Sequence, residues 1–242
     1  MEYLYYKNIN DMDIKSLYEK FRFRLRLKIP KYSDIITTDN YIDMSDLSNW
    51  GKRLVWFPKE WYSDDNIIEN DDNIEVIAPT HGENSGLIIS KFTFKYGTIR
   101  ALLKAPDIKG VWSAFWLFDT NGMPEHDFEF CGQETHTVNV THHWGYEYVG
   151  NDKKSTLHNA RTNKHFNPTT EYNWYEIEKT PYKVIYRING IVVKVKKRGI
   201  SSGESRVIFN AGTGSYCGSE KNQPLQKKGI MYIKSIELDK VS

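Results

Sequence analysis

The sequence predicts a single-domain antiparallel β-sandwich, and three observations carry that prediction. Apolar and polar residues alternate over about a dozen short runs at regular spacing, the pattern of strands with one face on a core. Helical periodicity is convincing in one early stretch only, so no crossover helices are available to join parallel strands. Turn residues separate the runs, most clearly Asn189-Gly190 between two apolar stretches, a strong short-range hairpin signal. Residues 1–242 show no internal repeat and no linker. One domain is therefore expected over 1–242, with residues 1–50 as a divergent extension packed on it.

The elements follow in chain order. Over residues 11–21, Ile14, Leu17, Tyr18 and Phe21 fall at i, i+3, i+4 and i+7, and Asn10 or Asp11 can cap the start of a short helix. The period then switches: Phe21, Phe23, Leu25, Leu27 and Ile29 alternate with Arg22, Arg24, Arg26 and Lys28. That strand has a basic face, read as a solvated edge guarded against aggregation or as a patch for an anionic polymer. Residues 31–85 are polar, with short strands expected at 53–57, 67–69 and 74–77. Stronger runs follow at 87–96, 98–104, 111–118, 125–130 and 137–143. Residues 147–168 read as a polar insertion without a core pattern. Runs at 172–178, 182–188, 191–197, 206–210 and 230–238 close the chain.

A chain of 242 residues can bury a full core without disulfide staples. Its net charge of +2 gives no global argument for nucleic acid or for a strongly acidic partner. Aromatics make up 14% of the residues, which suits strands and core and also a cleft whose rings stack on sugars. Cys131 and Cys217 form neither a disulfide framework nor a metal motif, and two free thiols are expected. The first residues carry no apolar signal region, and no run is long enough to cross a membrane as a helix. Export would then need a removed signal or another route.

Within this frame one strand stands out. In Glu125-His126-Asp127-Phe128-Glu129-Phe130-Cys131-Gly132, period 2 puts Glu125, Asp127 and Glu129 on one face and His126, Phe128 and Phe130 on the other. Three carboxylates in a row repel one another and give the strand no stability. Residues four apart on a strand lie roughly 13 Å apart at Cα, and two glutamates leaning inward can bring their carboxyl groups to about 5–6 Å. A retaining glycosidase needs its two carboxyl groups about 5–5.5 Å apart, an inverting one about 6.5–9.5 Å. Taken alone, the pattern is also that of an acidic exposed strand or hairpin, so the flanking sequence has to decide.

The flanks resemble glycoside hydrolase family 16, the lichenases, laminarinases, agarases and xyloglucan transglycosylases. The acidic strand is similar to that family's Glu-Ile-Asp-Ile/Phe-Glu-Phe-Leu-Gly in its unbulged form. Ser90-Lys91 with Phe94, Tyr96 and Gly97, the run from Lys109 to Leu117, and Tyr175-Glu176-Ile177-Glu178-Lys179-Thr180-Pro181 with its hairpin resemble further family motifs in the same order. The likeness covers about residues 85–240.

The resemblance implies a jelly-roll sandwich of two curved antiparallel sheets with a concave cleft for a polysaccharide. It implies an extracellular, endo-acting retaining glycosidase, with no cofactor and no metal, acting as a monomer without nucleic-acid or membrane partners. Glu125 would be the nucleophile, Glu129 the acid/base, and Asp127 the group between them that tunes the pair. Trp116 would lie beside the scissile bond. Asn139, Thr141 and His143 share one face of the next strand, whereas the likeness to Leu-His-Tyr-Gly in laminarinases points to His142; the choice between the histidines stays open. Trp144, Trp174 and Asn210 are weaker cleft candidates, and core or loop packing is the favoured role for each.

Four departures from the family accompany these expectations. His126 stands for an Ile, Arg100-Ala101-Leu102 for Glu-x-Arg, and Lys179 for a cleft Trp. Lys234 stands where many members carry an Asp that binds calcium, and an ammonium cannot ligate that ion, so no calcium is expected there. The preferred substrate is a β-glucan, with a galactan as the second choice. The alternatives are a transglycosylase and a non-catalytic carbohydrate-binding sandwich of the same fold.

Overall fold

Alternation along the chain becomes fifteen strands among the described residues. The computed structural model describes residues 41–52, 61–80, 84–132, 137–144, 158–161, 166–213, 217 and 227–240. The helix expected at 11–21, the basic strand at 21–29 and the strand at 53–57 lie outside the described residues. In chain order the strands are β1 (Ile42–Asp43), β2 (Trp50–Gly51), β3 (Ile67–Asn70), β4 (Asn73–Ala78), β5 (Gly86–Ser90), β6 (Gly97–Lys104), β7 (Val111–Asp119), β8 (Gly122–Cys131), β9 (Thr137–His143), β10 (His158–Arg161), β11 (Asn173–Lys179), β12 (Val184–Ile188), β13 (Ile191–Lys196), β14 (Ser205–Thr213) and β15 (Gly229–Lys240).

They form two antiparallel sheets in a jelly-roll sandwich. One sheet runs β13-β12-β11-β6-β15-β4-β3, with β1 added beside β15. The other runs β10-β9-β8-β7-β14-β5-β2. The strand with the three acids therefore lies inside the second sheet, held by β7 on one side and β9 on the other.

The core lies between the sheets, and alternation decides what enters it. Ile99, Ala101 and Leu103 of β6 and Tyr175 and Ile177 of β11 face Phe115 and Leu117 of β7 and Phe128 and Phe130 of β8. Phe115 stacks on Phe209 at 4.8 Å, and Phe128 meets the rings of Tyr175 and Tyr186 edge-on at 5.3 and 5.6 Å. Each buried ring contributes about 1.5–3 kcal/mol from area, and aromatic pairing adds about 0.5–1.5 kcal/mol. That packing holds the back of the acidic strand rigidly against the opposite sheet.

Several boundaries differ from the sequence reading for local reasons. The run at 87–96 breaks after Ser90, whose hydroxyl donates to Phe92 O at 2.7 Å, and Phe94 instead bridges to Ser205. The acidic strand starts at Gly122, because Thr120-Asn121 is a tight turn in which Asn121 N–H donates to the Asp119 carboxylate at 2.9 Å. The polar insertion contains a strand, β10, paired with β9. The hairpin at Asn189-Gly190 forms as expected, both residues having positive φ, +47° and +77°, the geometry of a type I′ turn.

Cys131 and Cys217 are joined in a disulfide, which corrects the expectation of free thiols. Their sequence separation of 86 residues gave no hint of proximity, and Cys217 lies outside every strand. The bond ties the end of β8 to that segment.

Candidate active site

The outer face of the β8 sheet carries three rows of side chains set by register. On β9, His143 stands opposite Glu125, Thr141 opposite Asp127, and Asn139 opposite Glu129. On β7, Phe118 stands opposite Glu125, Trp116 opposite Asp127, and Ala114 opposite Glu129. Val138, Val140 and His142 alternate with them and point into the sandwich. The structure thus gathers Glu125, Asp127, Glu129, Trp116, Asn139 and His143, six of the eight expected site residues, on one face.

The acids are not equivalent. Asp127 is 2% exposed, whereas Glu125 and Glu129 are half-buried. Burial pushes the Asp127 carboxyl well above the usual carboxylate range; the charges of Glu125 and Glu129 push the same way, and the Lys194 ammonium opposes them. A protonated Asp127 can donate to Glu125, and a hydrogen bond links those two side chains. A shift in that direction favours the proton on the middle acid and leaves its neighbour the better anion. Glu129 accepts from Thr141 Oγ1 at 2.5 Å, which orients that carboxylate. Trp116 Nε1 donates to Asn210 Oδ1 at 2.8 Å, fixing the indole beside Asp127, and the ring meets Phe118 edge-on at 5.6 Å. Beyond them Leu87, Ile89 and Ile208 form a small apolar cluster on which Tyr62, Trp116 and Phe118 pack.

The two histidines separate cleanly. His143 lies with the acids, its Nε2 at 3.5 Å from Asp127 Oδ2. His142 is fully buried, and its Nδ1 lies 2.7 Å from Nδ1 of His126. Parity had indicated His143, and the motif likeness to His142 put it on the wrong face. Trp174 is also displaced from expectation. It sits on the opposite sheet, out of phase with the core residues Tyr175 and Ile177, with the Arg100 guanidinium 4.6 Å from its ring. Arg100 also stacks on Tyr41 at 3.7 Å and pairs with Glu237 at 2.6 Å. This cluster faces away from the core on the far side of the sandwich, so Trp174 is not beside the acids.

The remaining departures have structural roles. Lys179 is in phase with Tyr175 and Ile177, runs between the sheets, and donates to Gly203 O and Ser205 Oγ, each at 2.8 Å. Burial pulls its ammonium down to about 8, while Asp119 resists. His126 is fully buried behind the acids; Tyr186 OH lies 3.4 Å from its Nδ1 and donates to Thr141 O at 3.1 Å. Lys194 Nζ reaches from the other sheet to Val140 O at 2.5 Å. Sequence reasoning missed this polar layer, as Lys194 lies in an apolar run and its acceptor, Val140 O, is 54 residues away on the other sheet. Lys234 lies at the register irregularity of β15, with its ammonium 5.9 Å from the Tyr172 ring.

Comparison with known proteins fits this geometry. Crh-like protein 3 of Botryotinia fuckeliana (strain B05.10) is 28% identical over 166 residues, which is 68% of this chain and 32% of that protein. Probable glycosidase CRR1 of Eremothecium gossypii is 29% identical over 108 residues, 45% of this chain and 22% of that protein. The chain thus matches about a third and a fifth of these relatives' lengths. Among solved structures, the catalytic domain of an endo-1,3-beta-glucanase (laminarinase) from Thermotoga petrophila RKU-1 superposes with a TM-score of 0.68 at 22% identity. That superposition covers 83% of this chain and 93% of the other, and shows the fold. Residues 56–231, more than half of the chain, match Glycosyl hydrolases family 16, and the chain belongs to that family of glycosidases.

Proposed function

We propose that this chain is an endo-acting, retaining glycosidase that cleaves β-linked glucan by double displacement. The observation that carries the reading is the row Glu125–Asp127–Glu129 on one exposed sheet face, its middle member buried and its carboxyl pushed well above the usual carboxylate range. Glu125 attacks the anomeric carbon while Glu129 gives its proton to the departing sugar oxygen; the products are a glycosyl ester on Glu125 and a freed chain end. Glu129, now a carboxylate, takes a proton from water, which attacks the ester and releases the sugar with its original configuration. Asp127 shares its proton with Glu125 and stabilises the leaving carboxylate of the second step. Trp116 offers a ring beside the reacting sugar, with Asn139 and His143 as polar contacts.

A β-glucan is favoured because the face beside the acids is aromatic and apolar, through Trp116, Phe118 and Tyr62, which suits sugar C–H faces. The likeness to a laminarinase supports the same choice. Residues 1–242 act as one catalytic domain and as a monomer, on extracellular polysaccharide. No helix among the described residues is long and apolar enough to cross a membrane. The test is incubation with β-1,3-, mixed-linkage and β-1,4-glucans and with agar and carrageenan, reading new reducing ends, chain-length redistribution and the first anomer formed. New β-anomeric ends from a β-glucan are expected. Redistribution without new ends would make the chain a transglycosylase, and binding without either would make it a carbohydrate-binding sandwich.

A further inference from the structure

Spacing along the chain gives neither histidine a metal partner, but the sheet supplies one from the neighbouring strand. Glu125 and Asp127 of β8 and His143 of β9 each offer one ligand atom, and the three atoms lie within 4.8 Å of one another. The donor set is mixed, two carboxylate oxygens and an imidazole nitrogen. Asp127 Oδ2 is buried with no hydrogen-bond partner among the described residues, and it faces His143 Nε2 at 3.5 Å. Two ligands on a tetrahedral zinc ion, with bonds near 2.0–2.2 Å, stand about 3.4 Å apart. The Asp127–His143 spacing of 3.5 Å is close to that value, and Glu125, half-buried, brings its carboxylate oxygen within 4.8 Å of both.

We propose that Glu125, Asp127 and His143 form an inhibitory site for a divalent transition-metal ion such as zinc. Three protein ligands and a water complete a tetrahedron, the ion displacing to solvent the proton that Asp127 shares with Glu125. A nitrogen donor on a three-ligand site suits zinc and disfavours magnesium and calcium, which take six or more oxygens. The ion neutralises and occupies the carboxylate that would attack the sugar, so binding of metal and turnover exclude each other. The inhibition, though not the binding, rests on the catalytic reading given above.

Calorimetry of the full chain with zinc, in a buffer that does not chelate it, tests binding without reference to activity. One zinc per chain is expected, with no heat from magnesium or calcium at the same concentration. His143→Ala and Glu125→Gln should each weaken zinc binding by about 10-fold or more, with unaltered melting in the absence of metal; His143→Gln serves if the alanine variant melts early. On the substrate that the chain cleaves, zinc should reduce turnover, and EDTA should restore it. Absence of zinc binding, or equal affinity in the folded variants, overturns the site. Zinc held by these three residues in a chain that cleaves no polysaccharide would keep the site and remove the catalytic reading instead.

Discussion

Burial between two glutamates shifts Asp127 towards its protonated form, and that has a cost in stability as well as a use. Its carboxyl is raised in the fold by burial and by Glu125 and Glu129, against about 3.9 in an unfolded chain. Its contribution to stability is therefore complete below about pH 4 and is lost as pH rises towards the folded value. Asp127→Asn keeps the shape and the donor to Glu125 without the ionisation. It should melt about 2–4 °C above the parent near neutral pH, converge with it near pH 4, and turn over more slowly; a lower melting point at neutral pH would refute this. Behind the same strand the sign reverses. Burial lowers His126 well below its ordinary value and takes His142 down to about 3, with nearby lysines pushing the same way. The Nδ1–Nδ1 contact at 2.7 Å requires one ring to accept, so the pair resists charging. These histidines support the fold above about pH 6.5 and withdraw that support as pH falls, at up to about 1.4 kcal/mol per pH unit for each ring. The double substitution His126→Ile with His142→Val should flatten the fall in unfolding free energy between pH 6 and 4, as read by urea titration.

Strand phase explains which residues can share a task. Trp116 and Trp174 were both read as cleft residues, yet β7 presents the first beside Asp127 while β11 presents the second on the other sheet, stacked on Arg100. Trp116→Ala should raise KM on a soluble β-glucan several-fold. Trp174→Ala should leave KM unchanged and cost about 1–3 kcal/mol through lost stacking on a desolvated guanidinium. A KM change in Trp174→Ala with stability intact would contradict the placement. Within a strand the phase was legible: Glu125, Asp127 and Glu129 share a face, and so do Asn139, Thr141 and His143. Which sheet a strand joins was not legible, and Trp174 was misplaced for that reason. Lys179 shows a missed signal. Its parity with Tyr175 and Ile177 points inward, and its stem and ammonium do bridge the two sheets.

On the scale of the whole molecule, an antiparallel sandwich follows from alternation and turn chemistry, and both are local. Strand order is not local: β6 lies beside β15 and β7 beside β14 through contacts separated by more than a third of the chain. The Cys131–Cys217 bond likewise joins residues 86 apart in sequence, whereas the His126–His142 contact follows from the register of the neighbouring strands β8 and β9. What these pairings achieve together is a rigid strand backed by Phe128, Phe130 and the opposite sheet, with three carboxyl groups on its free face. The central claim is that Glu125 and Glu129 are the two reacting groups on that face. The direct measurement is reducing-end release from a β-glucan by Glu125→Gln and by Glu129→Gln, beside their melting curves. Each variant should melt like the parent and lose about 10²-fold or more in activity. Two folded variants that hydrolyse as well as the parent would contradict it.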